Sequence, residues 1–204
     1  MIVIIDYGMG NIGSIVNMIR KAGGESLVSD DHNVIEQAEK LILPGVGAFD
    51  HGMRNLEERG LIPLLGRKVK EEKIPILGVC LGMQLFAKSS EEGLLPGLGW
   101  IDAACRKFSF SGEDQGLRIP HMGWNEIRIR KSSPLIGDMY EDARFYFVHS
   151  YYVDCANESD LLASCHYGFD FAAAVQHENI FATQFHPEKS HKYGLLVMKN
   201  FVAL

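Results

Sequence analysis

The pattern Gly78-Val79-Cys80-Leu81-Gly82 restricts this chain more than any other, because it falls where the apolar run Pro75–Val79 gives way to a helix-like stretch. A strand that turns sharply into a helix holds one side chain up and out of a parallel sheet, and Cys80 has that position. The flanking glycines are expected to let the backbone take strained dihedrals and to leave room for a substrate. A cysteine there also meets the partial positive charge of a helix N-terminus, which favours the thiolate, the form that attacks carbonyl carbon.

A matching element comes much later, at His186-Pro187-Glu188. Proline disfavours helix, so an extended segment is expected, with His186 and Glu188 on one face. The carboxylate would then fix the tautomer and orientation of the imidazole, and the imidazole would serve the thiol as its base. Either string alone says little, since a cysteine in an α/β core is usually a small hydrophobe. Together they predict a Cys-His-Glu hydrolase with Cys80, His186 and Glu188 as its catalytic residues.

Composition narrows the remaining classes. A chain of 204 residues, 47% hydrophobic, fits one domain spanning residues 1–204 with a sizeable core. A net charge of −6 without a basic block argues against nucleic acid or anionic membrane as a partner. The opening Ile2–Ile5 run is too short for a signal peptide or a membrane span and lacks a basic segment before it. Cys80, Cys105, Cys155 and Cys165 do not make a disulfide framework, and no Cys-x-x-Cys pair or i,i+4 histidine pair suggests zinc. A reduced, cytoplasmic protein without metal or cofactor is expected.

The continuous apolar run Ile2–Ile5 reads as a strand, and Glu25–Ser29, Lys40–Leu43 and Pro75–Val79 as the next three short strands. They alternate with helical patterns through Ile15, Met18 and Ile19, then Phe49–Glu58, Leu61–Glu72 and Leu81–Lys88. That alternation predicts an α/β fold with a mostly parallel sheet covered on both faces. Beyond Ser90, glycine, serine and charge dominate Glu91–Gly116. Segments at Glu126–Arg130, Arg144–Val148, Tyr151–Asp154, Ala172–Gln176 and Ile180–Gln184 then alternate like antiparallel strands, before a last helix from Ser190 to Val202.

One string competes with this reading. Gly8-Met9-Gly10-Asn11-Ile12-Gly13 follows a strand, opens a helix, and has Asp30 and Asp31 about where a ribose-binding acid falls in dinucleotide sites. A nicotinamide oxidoreductase is the enzyme class that this would imply. A tight turn over the sheet edge is the structural alternative.

The strings Gly78–Gln84 and Gln184–Ser190 resemble the class I, triad-type glutamine amidotransferases. Asp6–Asn11, Leu43–Gly47, Pro120–Asn125 and Tyr146–Tyr152 are similar, more narrowly, to the glutaminase subunits of imidazole glycerol phosphate synthase, over essentially the whole chain. The resemblance implies a flavodoxin-like amidotransferase fold and hydrolysis of glutamine to glutamate and ammonia. It implies an oxyanion hole from the backbone amides of Val46 and Leu81, and a glutamine pocket lined by Gly47, Gln84, Ser150 and Tyr151. It also implies a separate (β/α)8-barrel cyclase partner that receives the ammonia, with Pro120–Asn125 as an interface loop and Asn11, His121, Met122, Trp124 and Lys189 at the interface. The glycine-rich Gly8–Gly13 loop would then bind no cofactor. Pro96–Asp102 and Ser190–Gly194 look closer to paralogous amidotransferases that supply ammonia for surface-polysaccharide sugars, so the acceptor stays open at this point.

Overall fold

In the computed structural model, which describes residues 1–204, the apolar runs pair side by side and in parallel. β1 (Ile2–Ile5), β2 (Ser26–Ser29), β3 (Lys40–Gly45) and β4 (Ile76–Cys80) are separated by α1 (Ile12–Lys21), α2 (His32–Glu36), α3 (Phe49–Glu58) and α4 (Leu61–Gly66). After β4 come α5 (Leu81–Leu85), β5 (Ser89–Ser90), β6 (Ala103–Lys107), β7 (His121–Glu126), β8 (Arg128–Ile129) and β9 (Arg144–His149). The chain closes with β10 (Tyr151–Cys155), β11 (Leu161–Tyr167), β12 (Phe169–His177), β13 (Ile180–Thr183) and α6 (His191–Ala203). The main sheet has the order β2-β1-β3-β4-β13-β12-β11-β8. It is parallel from β2 to β13 and antiparallel beyond. β10, β6 and β5 form a smaller sheet, and β7 and β9 pair alone.

Burial on both faces explains why β1 is apolar at every position. Val3 and Ile5 pack with Phe49, Met53 and Leu56 on one side of the sheet. Ile2 and Ile4 pack with Ile15, Ile19, Val197 and Phe201 on the other. Alternate residues of one strand thus feed two cores, as a sheet sandwiched between helices requires. No helix is long and apolar enough to cross a membrane.

Several elements differ from the sequence expectations, each for a local reason. The helix expected over Leu81–Lys88 stops at Leu85, because loop amides capture the carbonyls that would continue it: Leu98 N–H donates to Leu85 O, Trp100 and Ile101 to Phe86 O, and Gly99 to Ala87 O. The pattern Leu61–Glu72 divides into α4 and a wider π-type turn at Arg67–Glu71. The strand expected at Glu126–Arg130 is split, with Glu126 ending β7 and only Arg128–Ile129 joining the main sheet. Pro120–Asn125, expected as a loop, is largely strand: β7 pairs residue for residue with β9, His121 opposite His149. The sequence pattern does not predict α2, β6 or β11.

Candidate active site

The parallel strands β3, β4 and β13 all end at one edge of the sheet, the usual place for a site in an open α/β fold. Cys80 is the last residue of β4, with φ +54° and ψ −105°. The strain expected at the elbow therefore sits on the cysteine itself, a cost of about 1–3 kcal/mol that the surrounding packing must hold. The flanking glycines serve close approach instead. A Cβ on Gly82 would lie 1.9 Å from the Leu43 carbonyl oxygen, and one on Gly78 would lie 2.6 Å from the Phe86 ring. α5 is a little over one turn long, so the helix field at Cys80 is weaker than a longer helix would give.

His186 follows β13, and the residues after it depart from expectation: Pro187–Lys189 is a 3-10 turn, not an extended segment. Proline at the first position of a helical turn loses nothing, because that N–H has no partner there. The turn still brings His186 Nδ1 to 2.8 Å from Glu188 Oε1, with both side chains 1% exposed. Ser190 pins the turn: its hydroxyl donates to His186 O at 2.6 Å and accepts from Tyr146 N at 3.0 Å. Burial alone would push the His186 imidazole down, but the Cys80 sulfur and the Glu188 carboxylate outweigh it and hold the pKa at about 9. Its Nε2 is buried and makes no well-formed hydrogen bond, so the lone edge facing the sulfur is uncommitted.

A pocket of about 370 Å³ opens over these groups. Cys80, His186, Val46, Gly47, Leu81, Gln84, Ser150 and Tyr151 all line it. Gly45 pairs with Cys80 across β3 and β4, which places the Pro44–Gly47 turn beside the sulfur. The buried Tyr7 hydroxyl donates to Pro44 O at 2.6 Å and holds that turn. Leu81 is the first residue of α5, where an amide has no partner within the helix, and the Val46 amide makes no backbone hydrogen bond. Neither amide is spent on a backbone partner. Gln84 spends its two amide protons within the protein, on Tyr151 O and on Gln184 Oε1, each at 3.1 Å, which leaves its own carbonyl oxygen for a ligand.

Sequence reasoning missed three polar residues here. Glu92 is the one carboxylate lining the pocket, and its Oε2 accepts from the Phe49 amide at 2.9 Å. In the sequence it is one acid among several in a glycine-rich loop, with no local signal. Gln184 donates from Nε2 to Cys80 Sγ at 3.6 Å, and its i,i+2 spacing from His186 at the end of a strand was the available clue. His149 lines the pocket and contacts His121 at 3.0 Å.

The residues expected at a partner interface divide. Met122 and Trp124 project from β7 at 61% and 44% exposure, and Trp124 stacks on His191 with ring centroids 5.2 Å apart. Asn11, at the start of α1, and Lys189 are exposed, with the Lys189 ammonium 5.6 Å from the Tyr146 ring centre. His121 does not belong with them. It alternates inward along β7 and is 3% exposed, so it reaches a partner only through its neighbours.

The Gly8–Gly13 loop is filled by the protein itself. Gly8 backs onto Arg59 and Asn55, and a Cβ on Gly10 would lie 2.9 Å from Pro44. Gly13 has open space around it, whereas the third glycine of a dinucleotide loop is there for close helix packing. Asp31 caps α2 by accepting from Asn33 N and Val34 N, and Asp30 pairs with Arg59 at 3.8 Å. The loop is a turn that supports the Pro44–Gly47 segment, and the oxidoreductase reading has no site left.

Comparison with known proteins agrees with this geometry. The chain is 52% identical to imidazole glycerol phosphate synthase subunit HisH 2 of Methanococcus maripaludis, over 99% of this chain and 98% of that one. It is 50% identical to the subunit of the same name from Pseudomonas aeruginosa, over the whole of both. A solved glutamine amidotransferase, 19% identical, superposes with a TM-score of 0.70 over 96% of this chain and 98% of its own, which shows the shared fold. Residues 3–203 match the glutamine amidotransferase class-I family, and to that family the chain belongs.

Proposed function

We propose that the chain, as one amidotransferase domain over residues 1–204, is the glutaminase subunit of an imidazole glycerol phosphate synthase. It cleaves glutamine to glutamate and ammonia and delivers the ammonia to a (β/α)8-barrel cyclase subunit in the cytoplasm. The observation that carries this reading is the buried His186–Glu188 pair, 2.8 Å apart, with His186 and Cys80 lining one pocket. The full-length identity to two HisH subunits supports the pathway.

Cys80 attacks the side-chain amide carbon of glutamine. The proton of the thiol, held on His186 Nε2, passes to the leaving nitrogen as the tetrahedral intermediate collapses to a glutamyl thioester and ammonia. Water, deprotonated by the same imidazole, then attacks the thioester carbon and releases glutamate with the thiol restored. Glu188 keeps Nδ1 protonated and compensates the imidazolium charge. The amides of Leu81 and Val46 receive the oxyanion of both intermediates, and loss of one such donor typically costs about 10²–10³ in rate. Glu92, facing the pocket with Ser150 and Tyr151, supplies negative charge for the α-ammonium of glutamine.

The strings that resemble surface-sugar paralogs have packing reasons of their own. A Cβ on Gly97 would lie 2.1 Å from Ala87 O, Trp100 packs on Phe86 with centroids 5.0 Å apart, and a Cβ on Gly194 would lie 1.8 Å from Pro187 O. These residues seat loops and α6, so they carry little weight about the acceptor. The test is complementation: the gene should restore growth without histidine, at low ammonia, to a host lacking its own glutaminase subunit but holding a compatible cyclase. No rescue by a soluble product that still hydrolyses glutamine would move the acceptor elsewhere.

A further inference from the structure

A chain of side-chain amides runs from the floor of the pocket to the sulfur, and its direction is fixed by one backbone carbonyl. Tyr151 O can only accept. Gln84 therefore turns its nitrogen toward it, at 3.1 Å, and with the second proton of that nitrogen reaches Gln184 at 3.1 Å. The Gln184 atom that receives this bond must be its oxygen. Its nitrogen is then directed at Cys80 Sγ, 3.6 Å away. Gln184 is fully buried and Gln84 is 5% exposed, so neither amide is free to turn over in water. The second acceptor site of Tyr151 O is taken by His149 Nδ1 at 2.8 Å, which keeps the anchor in place.

We infer that Gln184 is a further catalytic residue, an N–H donor that stabilises the Cys80 thiolate, and that Gln84 is the positioning residue that aims it. Spacing explains how one strand end supplies both groups. Gln184 and His186 are separated by one residue after β13, so both meet Cys80, while Phe185 turns away to stack on Phe145 with centroids 3.9 Å apart. A hydrogen bond to an ionised acceptor is stronger than one to a neutral acceptor, so the donor favours the sulfur anion over the thiol. The sulfur is anionic before it attacks the amide carbon and again as it leaves during hydrolysis of the thioester, and the donor serves it at both points. The inference rests on Cys80 being the nucleophile.

The titratable neighbours of the sulfur leave a clear readout. Tyr7, His186 with Glu188 behind it, and His149 and Glu92 across the pocket are the groups that face it. Burial pushes the Tyr7 phenol up and the His149 imidazole down to about 3, so neither changes charge between pH 6 and 9. The experiment measures iodoacetamide alkylation of Cys80 by peptide mass spectrometry as a function of pH, in the wild-type protein, Gln184→Met and Gln84→Met. Methionine keeps the volume and removes the donor. The rise of the Gln184→Met profile should move to higher pH by about one unit, with about tenfold slower alkylation along the rising limb and an unchanged plateau in alkali. Glutamine turnover should fall in kcat with KM preserved, since Gln184 does not line the pocket. Gln84→Met should shift the profile in the same direction by less. A folded Gln184→Met with the wild-type profile overturns the inference, and if that variant does not fold, an unmoved Gln84→Met profile does so. Wild-type protein that is not alkylated selectively at Cys80 would instead remove the nucleophile assignment itself.

Discussion

His186 and Glu188 meet at 2.8 Å across a proline-initiated helical turn, and neither side chain sees solvent. The one oxygen of Glu188 that His186 does not use is buried without a hydrogen-bond partner. Such a carboxylate is costly unless the imidazole carries a proton for it to compensate.

Glu188→Gln should therefore impair glutamine hydrolysis without erasing it. The amide can still hold the ring, but it no longer balances the imidazolium and can select the wrong tautomer. The comparable Asp→Asn change in serine proteases lowers turnover by roughly 10⁴, and a thiol nucleophile should lose less than that. Steady-state glutamate release at several pH values checks this, and wild-type turnover in the variant would show that Glu188 does not orient His186.

Two buried histidines should make the fold acid-sensitive. Burial pushes His121 down to about 4, and burial, offset in part by the Tyr151 carbonyl, pushes His149 down to about 3. The unfolded chain takes up those protons near pH 6.5 and the folded one does not. This contribution to stability is fully present above that value and is lost as pH falls toward 4 and 3. His186 has the opposite sign: its contribution is present below 6.5 and is lost as pH rises through about 9. Urea unfolding at pH 7 and 4.5 should differ by a few kcal/mol from the two buried rings, about 1.4 kcal/mol per ring per pH unit at most. His121→Phe should flatten the dependence, and an equal slope in that variant would contradict the assignment.

The elbow at Cys80 and the His186–Glu188 partnership were legible because each is compressed into a few residues. The strands β1, β3 and β4 were legible because both of their faces are buried, β1 to the residue, while β3 runs on to Gly45 and β4 is displaced by one residue to Ile76–Cys80. What the sequence concealed depends on distant partners. The end of α5 is set by loop amides from Leu98 to Ile101, and β7 is a strand only because β9 lies beside it. Proline misled at Pro187, where the first position of a turn suits it as well as an extended chain. Glu92 was invisible for the same reason: its chemistry comes from where the fold carries it.

Trp124→Ala should uncouple glutamine use from product formation more than it unfolds the protein. Its ring is 44% exposed and packs on His191 rather than in a core. The purified subunit alone should hydrolyse glutamine slowly, and the cyclase with its acceptor should accelerate it. Glutamate release with and without partner, set against the melting temperature of the variant, measures both effects. Full activity in the lone subunit, unchanged by partner or by Trp124→Ala, would remove the case for an obligate complex.

Cys80 as the nucleophile is tested most directly by a glutamine-analogue electrophile such as a diazoketone, followed by peptide mass spectrometry of all four cysteines. Burial pushes the thiols of Cys105, Cys155 and Cys165 up to about 12, so they should stay unmodified at neutral pH while Cys80 is labelled stoichiometrically. Cys80→Ala should abolish both labelling and glutamine hydrolysis, while the complex with its cyclase still makes product from free ammonia. Label on another cysteine with Cys80 untouched, or glutamine hydrolysis persisting in Cys80→Ala, would contradict the account.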